Sequence, residues 1–229
     1  MSVDATALLD CWERARSLAR PWRELTLLEL VDPGSASDLA VLPIGERDRR
    51  LLELRTSLVG RSIECEIDCP ACGERLAIEL DAADLRTDAP SEVDRTVRHA
   101  GRRIRVRPPD SRDVAACLDE ADPEQALLER CTDGRGAALP DDLREAVIRT
   151  MAALDPGAEI SLDAECPACG EAWQVPLDPA SLAFEEVGQL ATRLLREVDQ
   201  LARAYGWRER DVLELSAERR RAYVSLVAG

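Results

Sequence analysis

The residues best suited to chemistry are cysteines. Four of the eight in the chain lie in one hexapeptide that occurs twice, Cys69-Pro70-Ala71-Cys72-Gly73-Glu74 and Cys166-Pro167-Ala168-Cys169-Gly170-Glu171. A Cys-x2-Cys loop turns both sulfurs toward one cation and leaves backbone N–H groups free to hydrogen-bond the thiolates. Glycine after the second cysteine permits the left-handed turn that closes such a knuckle. Two knuckles supply four sulfurs, the tetrahedral set of a structural zinc site. The expected metal ligands are Cys69, Cys72, Cys166 and Cys169, around one structural Zn2+.

Two other readings of these thiols compete. A disulfide within each knuckle is compatible with an even cysteine count. However, Met1-Ser2-Val3-Asp4 starts polar and acidic, unlike a signal peptide. A cytoplasmic, reducing location is therefore expected, and paired cysteines there are usually metal-bound or catalytic. A redox pair needs Cys-x2-Cys at the start of a helix, which lowers the thiol pKa; here a strand pattern follows. Structural zinc contributes on the order of 10–16 kcal/mol, against a whole-domain stability of about 5–15 kcal/mol. The metal is thus expected to decide whether the knuckles fold.

Other candidates for chemistry are weaker. The single histidine, His99, falls in an expected hairpin turn, where solvation is the simpler reading. There is no Gly-rich phosphate loop and no nucleophile elbow. Four thiolates leave a zinc no open position for water, as a catalytic site requires. Cys65 could compete as a ligand but reads as an inward strand residue. Cys11, Cys117 and Cys131 sit on helical patterns as small core residues. The acid pairs Asp141-Asp142 and Glu185-Glu186 sit where helix starts are expected. These observations make no case for an enzyme.

The elements around the knuckles repeat as well. Each residue of 63–85 has a counterpart 97 positions later: Ile63 matches Ile160, Leu80 matches Leu177, and Leu85 matches Leu182. Apolar residues alternate on both sides of each knuckle (Ile63, Cys65, Ile67 and Leu76, Ile78, Leu80; Ile160, Leu162, Ala164 and Trp173, Val175, Leu177), so strand, knuckle, strand is expected. Upstream, Leu42-Pro43 matches Leu139-Pro140, each opening a helical run, 47–58 and 143–154. The expected fold class is α+β, mainly helical, with two pseudo-repeated β-hairpin zinc knuckles meeting as one zinc ribbon. A single compact domain over 1–229 is expected, with helix-strand-knuckle-strand units at about 42–85 and 139–182 and a C-terminal helical segment at 179–229.

Composition narrows the partners. The net charge is −15, and all 30 basic residues are arginine. An acidic chain is poorly suited to holding phosphates, so nucleic acid is an unexpected partner. No apolar run approaches the length of a membrane span.

The remaining stretches read as follows. Asp4 caps a helix to about Ala19, and Trp22 to Val31 is a short helix or an extended segment. Asp32-Pro33-Gly34-Ser35 is a turn and Asp88-Ala89-Pro90-Ser91 a connector. Residues 93–97 and 103–107 form two strands around His99-Ala100-Gly101, and the second alternates arginine with apolar residues. That basic face could take an anionic partner; a solvated face is the plainer reading. Asp110 or Ser111 caps a helix to about Leu118, Pro123 opens another to Cys131, and Gly134-Arg135-Gly136 is a turn. From Pro179 to Tyr205 the stripe Val187, Ala191, Leu194, Val198, Leu201, Tyr205 marks a long helix packing on the core. Gly206 ends it. Ser216 caps a last helix, with 218–221 outward and Ala222, Leu226 and Val227 inward.

Taken together, these motifs resemble the bacteriophage T4-type baseplate protein family, whose members also occur with phage tail-like contractile injection systems. The residues carrying the likeness are 42–48 (Leu-Pro-Ile-Gly-Glu-Arg-Asp), the two knuckles, Leu127-Leu128-Glu129-Arg130-Cys131, Leu194-Leu195-Arg196-Glu197-Val198, Leu201 to Trp207 with its Ala-Tyr-Gly-Trp stretch, and Leu215 to Tyr223. The likeness covers most of the chain from about residue 40. It implies a non-enzymatic component or assembly factor of a baseplate or hub, with baseplate, hub or spike proteins as partners. The competing reading is a zinc-ribbon adaptor for nucleic acid or the transcription machinery; the charge of −15 predicts no salt-sensitive gel shift.

Overall fold

A computed structural model describes residues 3–32, 34–85, 92, 94–99, 101–134, 136 and 139–228. The protein is mixed α+β, and its strands form separate antiparallel hairpins. Four helices come first: α1 (Ala5–Ala15), α2 (Trp22–Leu28), α3 (Ala36–Leu39) and α4 (Ile44–Val59). Asp4 caps α1 as expected, accepting from the Ala7 amide at 3.2 Å. The helix stops at Ala15 rather than Ala19. The segment from Trp22 resolves as helix rather than extended chain. The sequence reading missed α3, which follows the expected turn and is closed by a reciprocal Ser35–Asp38 capping box. Of that turn Pro33 lies outside the described residues, as does the whole connector 88–91.

The first knuckle hairpin is β1 (Ser62–Asp68) with β2 (Arg75–Asp81). It follows α4, whose end is set by Gly60 at φ +103°. A second hairpin, β3 (Arg95–His99) with β4 (Arg102–Val106), then leads to α5 (Ser111–Cys117), α6 (Pro123–Cys131) and α7 (Asp141–Leu154). The strand expected over 93–97 starts two residues later, with Val93 outside the described residues; Ala100 and Arg135, in the two expected turns, also lie outside them. Asp110 caps α5 in a second capping box. After a 3-10 turn (Pro156–Ala158) come the third hairpin, β5 (Ile160–Glu165) with β6 (Ala172–Leu177), then α8 (Pro179–Tyr205), α9 (Glu209–Leu213) and α10 (Ala217–Ala228).

Helix α8 is the spine. Val187, Ala191, Leu194 and Leu201 of its stripe are buried, whereas Tyr205 at its end is exposed. Its first half closes a core with Leu25, Leu27, Leu28, Leu51 and Leu54 from α2 and α4. Its second half packs on Leu8, Leu9 and Leu213. A separate cluster places Ile104 and Val106 of β4 against Leu128, Leu143, Val147 and Leu154. The last helix corrects the expected facing of α10. Arg220 is buried and paired with Glu197 at 2.8 Å, while Ala222 and Leu226 are exposed. An apolar count cannot foresee that an arginine is drawn inward by a glutamate on a neighbouring helix. Likewise Glu186 lies beyond the first turn of α8 and pairs with Arg55 at 2.7 Å, so the dipole does not place it.

Two fastenings join the parts. Arg55 on α4, 3% exposed, grips Glu186 with two nitrogens and donates to the carbonyls of Gly60 and Ser62. It ties the root of the first hairpin to α8. The start of α4 has no local side-chain cap, since Pro43 occupies that position. Asp155, from the far end of α7, supplies one instead: its Oδ2 accepts from the Gly45 amide at 2.8 Å.

Candidate metal centre

The two knuckles sit at the far ends of β1–β2 and β5–β6. Strand pairing runs to Asp68↔Arg75 in one hairpin and Glu165↔Ala172 in the other, and each hexapeptide is the loop beyond that last rung. The loops are closed by the same two backbone bonds. Cys69 N donates to Glu74 O at 2.8 Å and Gly73 N to Cys69 O at 2.9 Å; Cys166 N donates to Glu171 O and Gly170 N to Cys166 O at the same distances. Gly73 and Gly170 take φ of +73° and +75°, the left-handed turn that the sequence requires of glycine.

The apolar hairpin faces bring the loops together. Ile63, Leu80 and Leu85 share one cluster with their repeat equivalents Ile160, Leu177 and Leu182, and with Ala82 and Leu162. At the tips, Cys69, Cys72, Cys166 and Cys169 place all four sulfurs within 4.8 Å of one another. Across the pair, Cys69 Sγ lies 3.7 Å from Cys169 Sγ and Cys72 Sγ 3.6 Å from Cys166 Sγ. A disulfide needs about 2.05 Å, so these thiols are free. An ion bound tetrahedrally at about 2.3 Å by four sulfurs holds them about 3.8 Å apart. The donor set therefore fits a four-coordinate metal ion. Cys69 and Cys166 are buried beneath it, and Cys72 and Cys169 are exposed.

The electrostatics favour a thiolate at Cys69 and oppose one at Cys72 and Cys169. Burial acts to raise the Cys69 thiol, yet the amides of Cys72 and Ala71 and the neighbouring sulfurs bring it down to about 7. Cys169 receives the Glu171 amide, which favours its thiolate, but the sulfurs of Cys72, Cys166 and Cys69 push it up to about 12. Cys72 is raised in spite of the Glu74 amide. The neighbouring thiols thus favour one thiolate, at Cys69, and oppose further ones, an opposition that a cation at their centre would remove.

The remaining cysteines stand apart from this group. Cys65 lies half-buried on β1 opposite Ile78, its thiol raised by desolvation. Cys11 and Cys131 are buried, and burial first of all lifts them to about 11 and about 12; Cys117 is raised by the same cause. These are packing residues, with little thiolate to offer. His99 is not in the turn. It ends β3 opposite Arg102, and its Nε2 lies 2.6 Å from Asp142 Oδ2. That contact crosses from hairpin to helix, which no local pattern announces.

The geometry defines a protein in which two repeated hairpins meet at a four-sulfur centre. Residues 25–172, well over half of the chain, match the family model described as T4 bacteriophage base plate protein, and the chain belongs to that family. The match takes in both knuckles and ends at Ala172, so the Ala-Tyr-Gly-Trp stretch and α10 lie beyond it. No curated protein and no solved structure matches the chain. Membership gives the chain a structural role in a phage baseplate, in contact with other baseplate components.

Proposed function

We propose that this protein is a non-enzymatic scaffold, stapled by one structural zinc, that serves in the assembly or structure of the baseplate or hub of a phage tail-like contractile injection particle. The observation that carries the reading is the coincidence of the baseplate family match with the four-sulfur cluster inside it. Zinc is the ion favoured by four thiolates in a tetrahedron, and the paired knuckles then form one zinc ribbon. Cys69, Cys72, Cys166 and Cys169 hold it. A fully sulfur-ligated zinc has no position for a substrate, which supports a structural role. The chain acts in the cytoplasm, as one domain with two internal units, through contacts with baseplate, hub or spike proteins. No helix among the described residues is long and apolar enough to cross a membrane.

The test is twofold. Protein prepared without chelator should carry about one zinc per chain by elemental analysis; none, with all four thiols reduced, would refute the staple. Tagged protein in a lysate producing the particle should recover baseplate, hub or spike components. Recovery of no tail component would overturn the assembly role.

A further inference from the structure

The β3–β4 hairpin carries a charge opposite to that of the rest of the molecule. Residues 94–107 hold six arginines and one acid, in a chain of net charge −15. The register sorts them onto faces. Val97 pairs with Ile104 on the face that packs against Leu143 and Val147, and the His99–Asp142 contact pins the same side to α7. Thr96↔Arg105 and Arg98↔Arg103 are the rungs of the opposite face, and all four residues are exposed.

Arg98 stands directly opposite Arg103. Directly opposed residues set their Cβ atoms about 4.5–5.5 Å apart, where like charges oppose pairing. Arg105 is matched by Asp94 at 2.6 Å. Arg98 has no acidic partner among the described residues. A face needing only solvation would be served by mixed charge. A two-stranded hairpin is marginal alone, yet this one is held from below by its apolar face and by the His99–Asp142 contact, so Arg98 is presented in a fixed place.

We propose that the face of Thr96, Arg98, Arg103 and Arg105 docks an acidic segment of a partner protein, with a carboxylate forked by the guanidinium group of Arg98. Charge complementarity selects a short acidic segment over nucleic acid. A five-residue strand spans about 17 Å. Exposed Asp141, Asp142 and Glu145 stand on the helix beneath it. A duplex carries a charge about every 1.7 Å along its length and would run off the hairpin onto that acidic surface. A segment of a few residues stays on the arginines, within a screening length of about 8 Å.

The proposal rests on the chain being an interaction protein, but its test contains no baseplate component. Fluorescence anisotropy of a labelled Glu-Ser repeat peptide, titrated with full-length zinc-loaded protein at low salt, should show saturable binding that weakens as salt rises. Arg98→Glu should weaken it at least about tenfold. That substitution sets a carboxylate opposite Arg103, so its melting temperature should not fall, and misfolding cannot explain the loss. Arg219→Glu on α10 should bind as the parent does. Absent binding, equal binding by Arg98→Glu, or tighter binding of an oligonucleotide of equal charge would overturn the proposal. Particle components still recovered in the pull-down would then leave the assembly role intact.

Discussion

Gly45→Ala tests the fastening between the two repeats. Gly45 is the second residue of α4, and a Cβ there would stand 2.2 Å from Asp155 Oδ1, 2.6 Å from the carbonyl carbon of Gly157 and 2.8 Å from the Ala158 nitrogen. Two of these atoms are backbone, so the 3-10 turn itself must withdraw. Overpacking of this kind costs about 1–3 kcal/mol. Withdrawal also stretches the 2.8 Å bond from the Gly45 amide to Asp155. A buried hydrogen bond to a charged group adds about 1.5–3 kcal/mol. Alanine returns at most about 1 kcal/mol in helix propensity. The net loss is about 1.5–5 kcal/mol, or roughly 3–20 °C in melting temperature for a chain of this size. Urea and thermal denaturation of the full-length protein, followed by far-UV circular dichroism, measure it. Gly188→Ala is the matched control, because its Cβ would meet only the Trp12 ring, at 3.2 Å. It should stay within about 0.5 kcal/mol of the parent, as its propensity gain offsets a small ring movement. Equal stability of the two variants, or a Gly45→Ala protein as stable as the parent, would refute the close approach.

Three further predictions use other parts of the structure. Cys166→Ser removes one buried thiol of the four-sulfur cluster and should abolish stoichiometric metal binding, read by elemental analysis and a colorimetric chelator; Cys117→Ser should leave the metal content unchanged. Burial raises the Asp155 carboxyl above its usual value, with the Gly45 amide opposing. Its contribution to stability is therefore full at low pH and is lost as pH rises through the folded-state value, so Asp155→Asn should gain on the parent from about pH 4 upward, and parallel pH curves would refute this. Arg55→Met strands Glu186 and the carbonyls of Gly60 and Ser62 together, and should cost about 3–5 kcal/mol by chemical denaturation; a cost below about 1 kcal/mol, as for an exposed pair, would show the clamp to be dispensable.

Features with a local cause were legible in the sequence. The knuckles, their glycines and the flanking alternation are set by residues a few positions apart, and the bounds of α6 and α8 follow from Pro123, Pro179 and Gly206. Short helix α3 was missed because four residues are too few to show a period, though Ser35 and Asp38 stand at capping-box spacing. The inward turn of Arg220, the His99–Asp142 contact and the capping of α4 by Asp155 depend on residues 23, 43 and 110 positions apart, respectively. No window-based pattern carries them. A proline at the start of α4 did leave a visible vacancy, a helix without its own cap, but only the fold reveals which carboxylate fills it.

The position of the sulfurs bears on what the metal can stabilise. The four cysteines lie at the hairpin tips, beyond the last rung of each ladder, whereas the clusters around α8 and around α7 draw no residue from either knuckle. None of the four sulfurs takes part in the packing of those clusters. Between tips and helices, Ile63 of one hairpin shares a cluster with Leu80, Ile160 and Leu177, and a two-stranded hairpin alone is marginal. Metal removal should therefore act along a gradient. Amides of 62–81 and 160–177 should lose hydrogen-exchange protection on chelation, most at the tips, while those of α2, α4 and α8 keep theirs. A uniform loss across the chain would mean that the ion supports the whole fold. An unchanged hairpin would mean that the packed faces alone hold the repeats together, and the sulfurs would then need another purpose.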